Sequence, residues 1–89
     1  MNKDLESLKK YIMDEEMVYL KADEGFWMQK DGKLLHLSQM SESHLRNSIK
    51  MIEKDIERLE SRPIEIFNEL SSLAEDKIEE LKSEYRDRI

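Results

Sequence analysis

Cysteine is absent from this 89-residue chain, proline occurs once and glycine twice. The missing thiols exclude disulfides, thiolate nucleophiles and the common zinc modules, and they suit a reducing compartment, so the cytoplasm is the expected location. With so few breakers, Gly25, Gly32 and Pro63 each mark a break that carries information. No apolar run approaches the roughly 20 residues of a bilayer span. The acidic N-terminal stretch also lacks the basic-then-apolar order of a secretory signal. A soluble, unprocessed protein with no membrane partner is therefore expected.

What is present is mostly charge and helical pattern. Hydrophobic residues make up 38% and charged residues 40%, a balance between an ordinary globular domain and the composition of long helices or coiled coils. At this length only one core can bury enough apolar surface, so a single domain over 1–89 is expected, with 1–40 and 41–89 as its two parts. The net charge of −6 opposes direct binding to nucleic acid. The charge is uneven. Residues 1–24 carry 4 basic and 7 acidic side chains, 25–49 carry 3 and 2, and 50–89 carry 8 and 12. Only the middle is not acidic.

The pattern predicts a mostly helical α+β fold. Leu5, Leu8 and Ile12 at i, i+3, i+7 predict a helix over about 3–16, with Asn2 or Asp4 as cap. Asp14-Glu15-Glu16 is a poor helix end, because carboxylates oppose the negative pole of the dipole. Met17-Val18-Tyr19-Leu20 then either continues the helix or forms a short strand.

Residues 25–37 carry the clearest strand signal, two short apolar-rich runs around Asp31-Gly32. That dipeptide favours a two-residue type I′ turn, which pairs Lys30 with Lys33, Met28 with Leu35, Trp27 with His36 and Phe26 with Leu37. One face then holds Phe26, Met28, Leu35 and Leu37, and the other holds Trp27, Gln29, Leu34 and His36. The first reads as core. An isolated hairpin is marginal in water, so it must pack on helices.

Ser41 is the expected cap of a helix over about 42–60, whose Leu45, Ile49, Ile52, Ile56 and Leu59 form a narrow heptad-like seam. Pro63 ends that run and suits the first turn of a helix over about 63–87, with Ser61 as its cap. The last helix carries Phe67, Leu70, Ala74, Ile78, Leu81 and Tyr85, reinforced by Ile66 and Leu73. A connection this short folds the two helices back on each other. At ~1.5 Å per residue they span roughly 28 and 37 Å. The excess of the last helix must cover the first helix, pack on the hairpin or meet a second subunit, and a core this small makes a homo-oligomer a reasonable expectation.

Little points to catalysis. His36 and His44 lack the i, i+4 spacing of a helical zinc pair, so no metal and no other cofactor is expected. No serine lies in a nucleophile-elbow pattern, and the carboxylates fall on faces that read as solvated. A non-enzymatic protein follows. Trp27, Gln29, Lys30, Lys33, Leu34 and His36 form the candidate recognition face, because the derived register turns the only Trp away from the core and Trp is enriched at interface hot spots. The alternative is that both faces are covered and Trp27 is core. A DNA-mimic reading of the acidic surface is diluted by the 15 basic residues among the 21 acidic ones.

The stretch from Trp27 through Lys30-Asp31-Gly32 and Met40 to His44-Leu45-Arg46-Asn47-Ser48-Ile49-Lys50-Met51 resembles small phage and prophage proteins. Those proteins share a Trp, a Lys-Asp-Gly turn, a Met and a His-Leu-x-Asn-x-Ile-x-Met helix opening. The resemblance covers residues 27–53, implies a phage accessory context, and brings no catalytic or ligand residues. Physically, His44 and Asn47 at i, i+3 share a helix face from which they can bond the hairpin backbone or line a cleft with Trp27 and Lys30. The leading expectation is a phage accessory protein that binds and inhibits a host protein, for instance one of defence or transcription. The alternatives are a sponge for a signalling nucleotide, using Trp27, Lys30, Lys33 and Tyr19 or Tyr11, and a structural helical oligomer.

Overall fold

A computed structural model of the chain describes residues 3–88. Its order is helix α1 (Lys3–Tyr11), a π turn (Ile12–Glu16), a 3-10 turn (Val18–Lys21), strands β1 (Phe26–Met28) and β2 (Leu34–His36), a second 3-10 turn (Leu37–Gln39), and helices α2 (Glu42–Leu59) and α3 (Ile64–Arg86). The fold is mostly helical α+β, an antiparallel helical pair with a small hairpin packed beside it. None of the described helices is long and apolar enough to cross a membrane.

The N-terminal helical run covers 3–16 as expected, but its last turn widens, with Met17 N donating to Ile12 O at 2.7 Å. Its acidic end is answered by cations. Lys10 and Lys21 bond Asp14 at 2.7 and 3.2 Å, and Arg62 meets both oxygens of Glu16 at 2.9 Å. Those two ammonium groups hold the Asp14 carboxyl below the usual carboxylate range. Asp4 stands inside the first turn of α1 and not ahead of it, and Asn2 lies outside the described residues. Residues 17–20 neither extend the helix nor form a strand. They enter the 3-10 turn, which buries Met17 and Tyr19.

The hairpin register differs from the expected one by a residue. Phe26 pairs with His36, Trp27 with Leu35 and Met28 with Leu34. Gln29 N donates to Lys33 O and Gly32 N to Gln29 O, both at 2.8 Å, so the loop is the three residues Lys30-Asp31-Gly32. A type I′ turn would need positive φ at Asp31 as well as at glycine. The longer loop confines that conformation to Gly32, at φ +90°, and lets Asp31 Oδ1 accept from Lys33 N at 2.9 Å. A one-residue shift exchanges the faces of the second strand. Leu35 and Leu37 therefore join Trp27 on the inner side, while Leu34 and His36 join Phe26 and Met28 outside, correcting both expected faces.

Ser41 caps α2 as expected, its Oγ accepting from His44 N at 3.1 Å. At the hinge, Ser61 does not cap α3. Its hydroxyl instead donates to Arg58 O at 2.9 Å and closes α2. Pro63 lies one position outside the expected first turn. Its extended backbone, at φ −53° and ψ 145°, makes it the N-cap, and its carbonyl accepts the first helical bond from Phe67 N at 3.0 Å. The fold-back itself holds. Leu45, Ile52, Leu59, Ile66, Leu70 and Leu81 are buried in one contiguous core with Trp27 and Leu37. Leu73 is the exception among the expected stripe residues, at 40% exposure.

Candidate functional site

Two concavities flank the hairpin, and each contains a polar side chain in an apolar seam slot. Along α2, the buried residues Leu45, Ser48, Ile52, Asp55 and Leu59 follow heptad spacing. Along α3, Leu70, Ala74, Lys77 and Leu81 do the same. Asp55 and Lys77 thus sit where a coiled-coil seam would carry leucine.

The first concavity is a cleft of about 400 Å³ between the hairpin and the open face of α2. Asp55 Oδ2 accepts from the Tyr19 hydroxyl at 2.6 Å, and Oδ1 accepts from Arg58 at 3.0 Å. Burial, with help from that hydrogen bond to Asp55, pushes the Tyr19 hydroxyl well above its ordinary pKa. Tyr19 stacks on Trp27 at 4.9 Å with the rings 5° from parallel, and His44 stands edge-on to the indole at 6.5 Å. The cleft wall brings Trp27, Gln29 and Lys30 together with His44 and Asn47. No hydrogen bond joins either of those last two side chains to the hairpin among the described residues.

The candidate face is thereby divided. Trp27 is only 3% exposed, so the only indole belongs to the core and presents almost no surface. Lys33, Leu34 and His36 lie away from the cleft. Leu34, 52% exposed, borders a shallow depression of about 160 Å³ with Phe26 and Met28. His36 accepts from Ser38 N at 3.2 Å and packs edge-on to Phe26, so its role is local capping. Among the described residues, no group of three or more His, Cys, Asp or Glu is placed to hold a metal ion.

The second concavity was not anticipated. It is a groove of about 680 Å³ between the C-terminal half of α3 and the segment around Leu20, Ala22, Gly25 and Leu37. Two cationic clamps build it. Lys77 Nζ, buried, donates to Phe26 O at 2.8 Å, Glu80 Oε1 at 3.0 Å and Asp23 O at 3.2 Å, using all three protons. Phe26 lies between the bonds that close the ladder at Gly25 and Gln29, so its carbonyl points away from β2 and Lys77 satisfies it. The same Glu80 oxygen also accepts from Gly25 N at 2.8 Å. Further along, Arg88 donates to the carbonyls of Leu37 and Met40 and to Glu84. The length excess of α3 is therefore spent on the hairpin and its exit loop.

The rim of this groove is acidic. Glu80 and Glu84 are engaged by Lys77 and Arg88, whereas Glu24, Asp76, Glu79 and Asp87 are exposed and in no ion pair among the described residues. Leu73, Leu20, Ala22 and Leu37 supply an apolar floor. The available signal was the seam spacing, since a lysine four residues before Leu81 and three after Ala74 occupies a core slot. Comparison with protein-family models, with curated proteins and with solved structures finds no match for this chain.

Proposed function

We propose that this chain is a non-enzymatic accessory protein of phage type that binds a host protein and inhibits it, acting in the host cytoplasm. The observation that carries the reading is the groove along α3, where an apolar floor is bordered by four carboxylates that are in no ion pair among the described residues, on a frame held by Lys77 and Arg88. Interfaces of this kind combine an apolar centre with a polar rim. Clamping the groove from both ends limits the ordering cost that binding would otherwise carry. The phage context comes from the Trp27 to Met51 resemblance, and inhibition of a defence or transcription protein is the activity it suggests. Immobilised protein should capture a specific host protein that the double variant Asp76→Lys/Glu79→Lys loses. Capture of nothing specific by the unaltered chain would end the reading.

A second reading, a small-ligand binder such as a nucleotide sponge, has one observation in its favour. Trp27, Lys30, His44 and Asn47 line one cleft. Against it, Tyr19 covers one face of the indole and Trp27 is only 3% exposed, which leaves no platform for a base. A thermal-shift screen with mono- and cyclic nucleotides separates the two readings, since a true ligand at 100 times its Kd adds ~2.7 kcal/mol. Self-association through the exposed apolar residues remains part of the proposal and is measured by sedimentation.

A further inference from the structure

We infer that the occupant of the α3 groove is a basic amphipathic helix, with a leucine-type stripe seated on Leu73, Leu20 and Ala22 and lysine or arginine side chains reaching the free carboxylates. This rests on the protein-binding reading and names the chemistry of the partner. Three features select that class.

The groove follows a helix. From Leu73 to Asp87 the α3 backbone rises ~21 Å, about the length of a helix of four turns, and ridges and grooves of two helices fit over such a distance. The floor is apolar. Leu73 departs from a stripe that is otherwise buried or partly buried and stands 40% exposed at one end of the groove.

The uncommitted charge among the residues lining this groove is acidic. Asp76 and Glu79 lie on α3 and Asp87 at its C-cap, with Glu24 on the facing loop. Of the cations nearby, Lys77 is committed to three acceptors and Arg88 to two carbonyls and Glu84, while Lys82 and Arg86 lie outside the groove lining. The C-terminal pole of α3 adds its own negative potential at the Asp87 end. Asp76 and Glu79 are three residues apart and so share a face, matching cations spaced by one turn on a facing helix. A second copy of this chain suits the rim less well, because each copy carries −6.

The test is fluorescence anisotropy of the full chain with a labelled Leu/Lys peptide of about 14 residues in helical period. Two comparison peptides are used, one with the same residues permuted to abolish the stripe and one with Glu replacing Lys. The striped basic peptide should bind, with the permuted and acidic ones at least about tenfold weaker. Asp76→Lys/Glu79→Lys should weaken it by about tenfold or more, while the same reversal at Glu53 and Glu57, exposed on α2, should change it by less than about twofold. No binding, equal binding of the permuted peptide, or equal loss from the two reversals would overturn the inference. So would a dimer in sedimentation that Asp76→Lys/Glu79→Lys dissociates without any peptide binding. A host protein whose capture needs Asp76 and Glu79 but which the peptide does not displace would refute the helix class and leave protein binding standing.

Discussion

The two sides of this molecule are held by different physics. The α2/α3 pair is held by apolar stripes, with Leu45, Ile52, Leu59, Ile66 and Leu70 buried along it, and its hinge needs only a short turn and a proline. The hairpin side has two three-residue strands and places Trp27 and Leu37 in the shared core. It is further fastened by four polar contacts, which are the Lys77 ammonium on the backbone of residues 23–26, the Glu80 carboxylate on Gly25 N, the Arg88 guanidinium on residues 37–40, and the Tyr19 hydroxyl on Asp55. Truncating one buried leucine of the stripes costs about 2–5 kcal/mol, but the other stripe residues stay in contact and still hold the pair. A buried polar contact loses much, because its partner is left desolvated and unpaired. The difference predicts that single polar substitutions loosen the hairpin side while leaving the helical pair in place.

The largest expected effect is at Lys77. Lys77→Met keeps most of the packing volume but strips Phe26 O and Glu80 of their buried donor, and about 3 kcal/mol of stability should be lost, the low end for one partner removed from a buried ion pair. Urea titration gives the total. Hydrogen exchange tests the contrast, because protection should fall first at residues 25–37 and last in α2. Uniform loss across both regions would break the comparison.

Tyr19→Phe comes next, at about 2 kcal/mol, since Asp55 then keeps only Arg58. It also carries a pH signature. The folded tyrosine holds its proton above the ordinary pKa of 10.0, so its contribution is complete below that value and declines above it, where the unfolded chain releases a proton that the folded chain retains. The decline is at most ~1.4 kcal/mol per pH unit. Between about pH 9 and about pH 11, the urea midpoint of the unaltered chain should fall more steeply than that of Tyr19→Phe. Parallel profiles would show that the buried Tyr19–Asp55 contact does not control this side.

Ser41→Ala removes the α2 cap and should cost about 1 kcal/mol in thermal unfolding. Because the cap lies between the hairpin exit and α2, its effect should fall on both regions and so define where they join. Leu73→Ala should leave stability within about 0.5 kcal/mol, as expected of an exposed residue. A larger loss in the thermal midpoint would mean that Leu73 belongs to the core side of the comparison and not to the groove.

The same division explains what was legible beforehand. The helical pair, its fold-back and the Ser41 cap follow from spacing and breaker residues, since a 3.6-residue period and a short connection leave few alternatives. The hairpin's location was legible, but its register was not. Asp31-Gly32 is compatible with a two- or a three-residue loop, and that one-residue choice moves Leu35 from the side of Phe26 to the side of Trp27. At the candidate face, Trp27, Gln29 and Lys30 do meet His44 and Asn47 at a common cleft, whereas Lys33, Leu34 and His36 do not. The groove itself was not foreseen, because Asp76, Glu79 and Glu80 read as an ordinary solvated helix face until a partner surface lies beside them.

What the sequence determined by itself is local and periodic. It set which segments are helical, where the chain must turn, and that one helix outlasts its partner, because backbone propensity, capping and amphipathic spacing act over a few residues. What only the tertiary structure decided is long-range pairing. Lys77 lies more than fifty residues from the carbonyls it holds, and Tyr19 lies 36 from Asp55. A buried lysine or aspartate is stable only when distant acceptors or donors arrive at hydrogen-bond range. No local pattern specifies that arrival, and it is what shapes the groove.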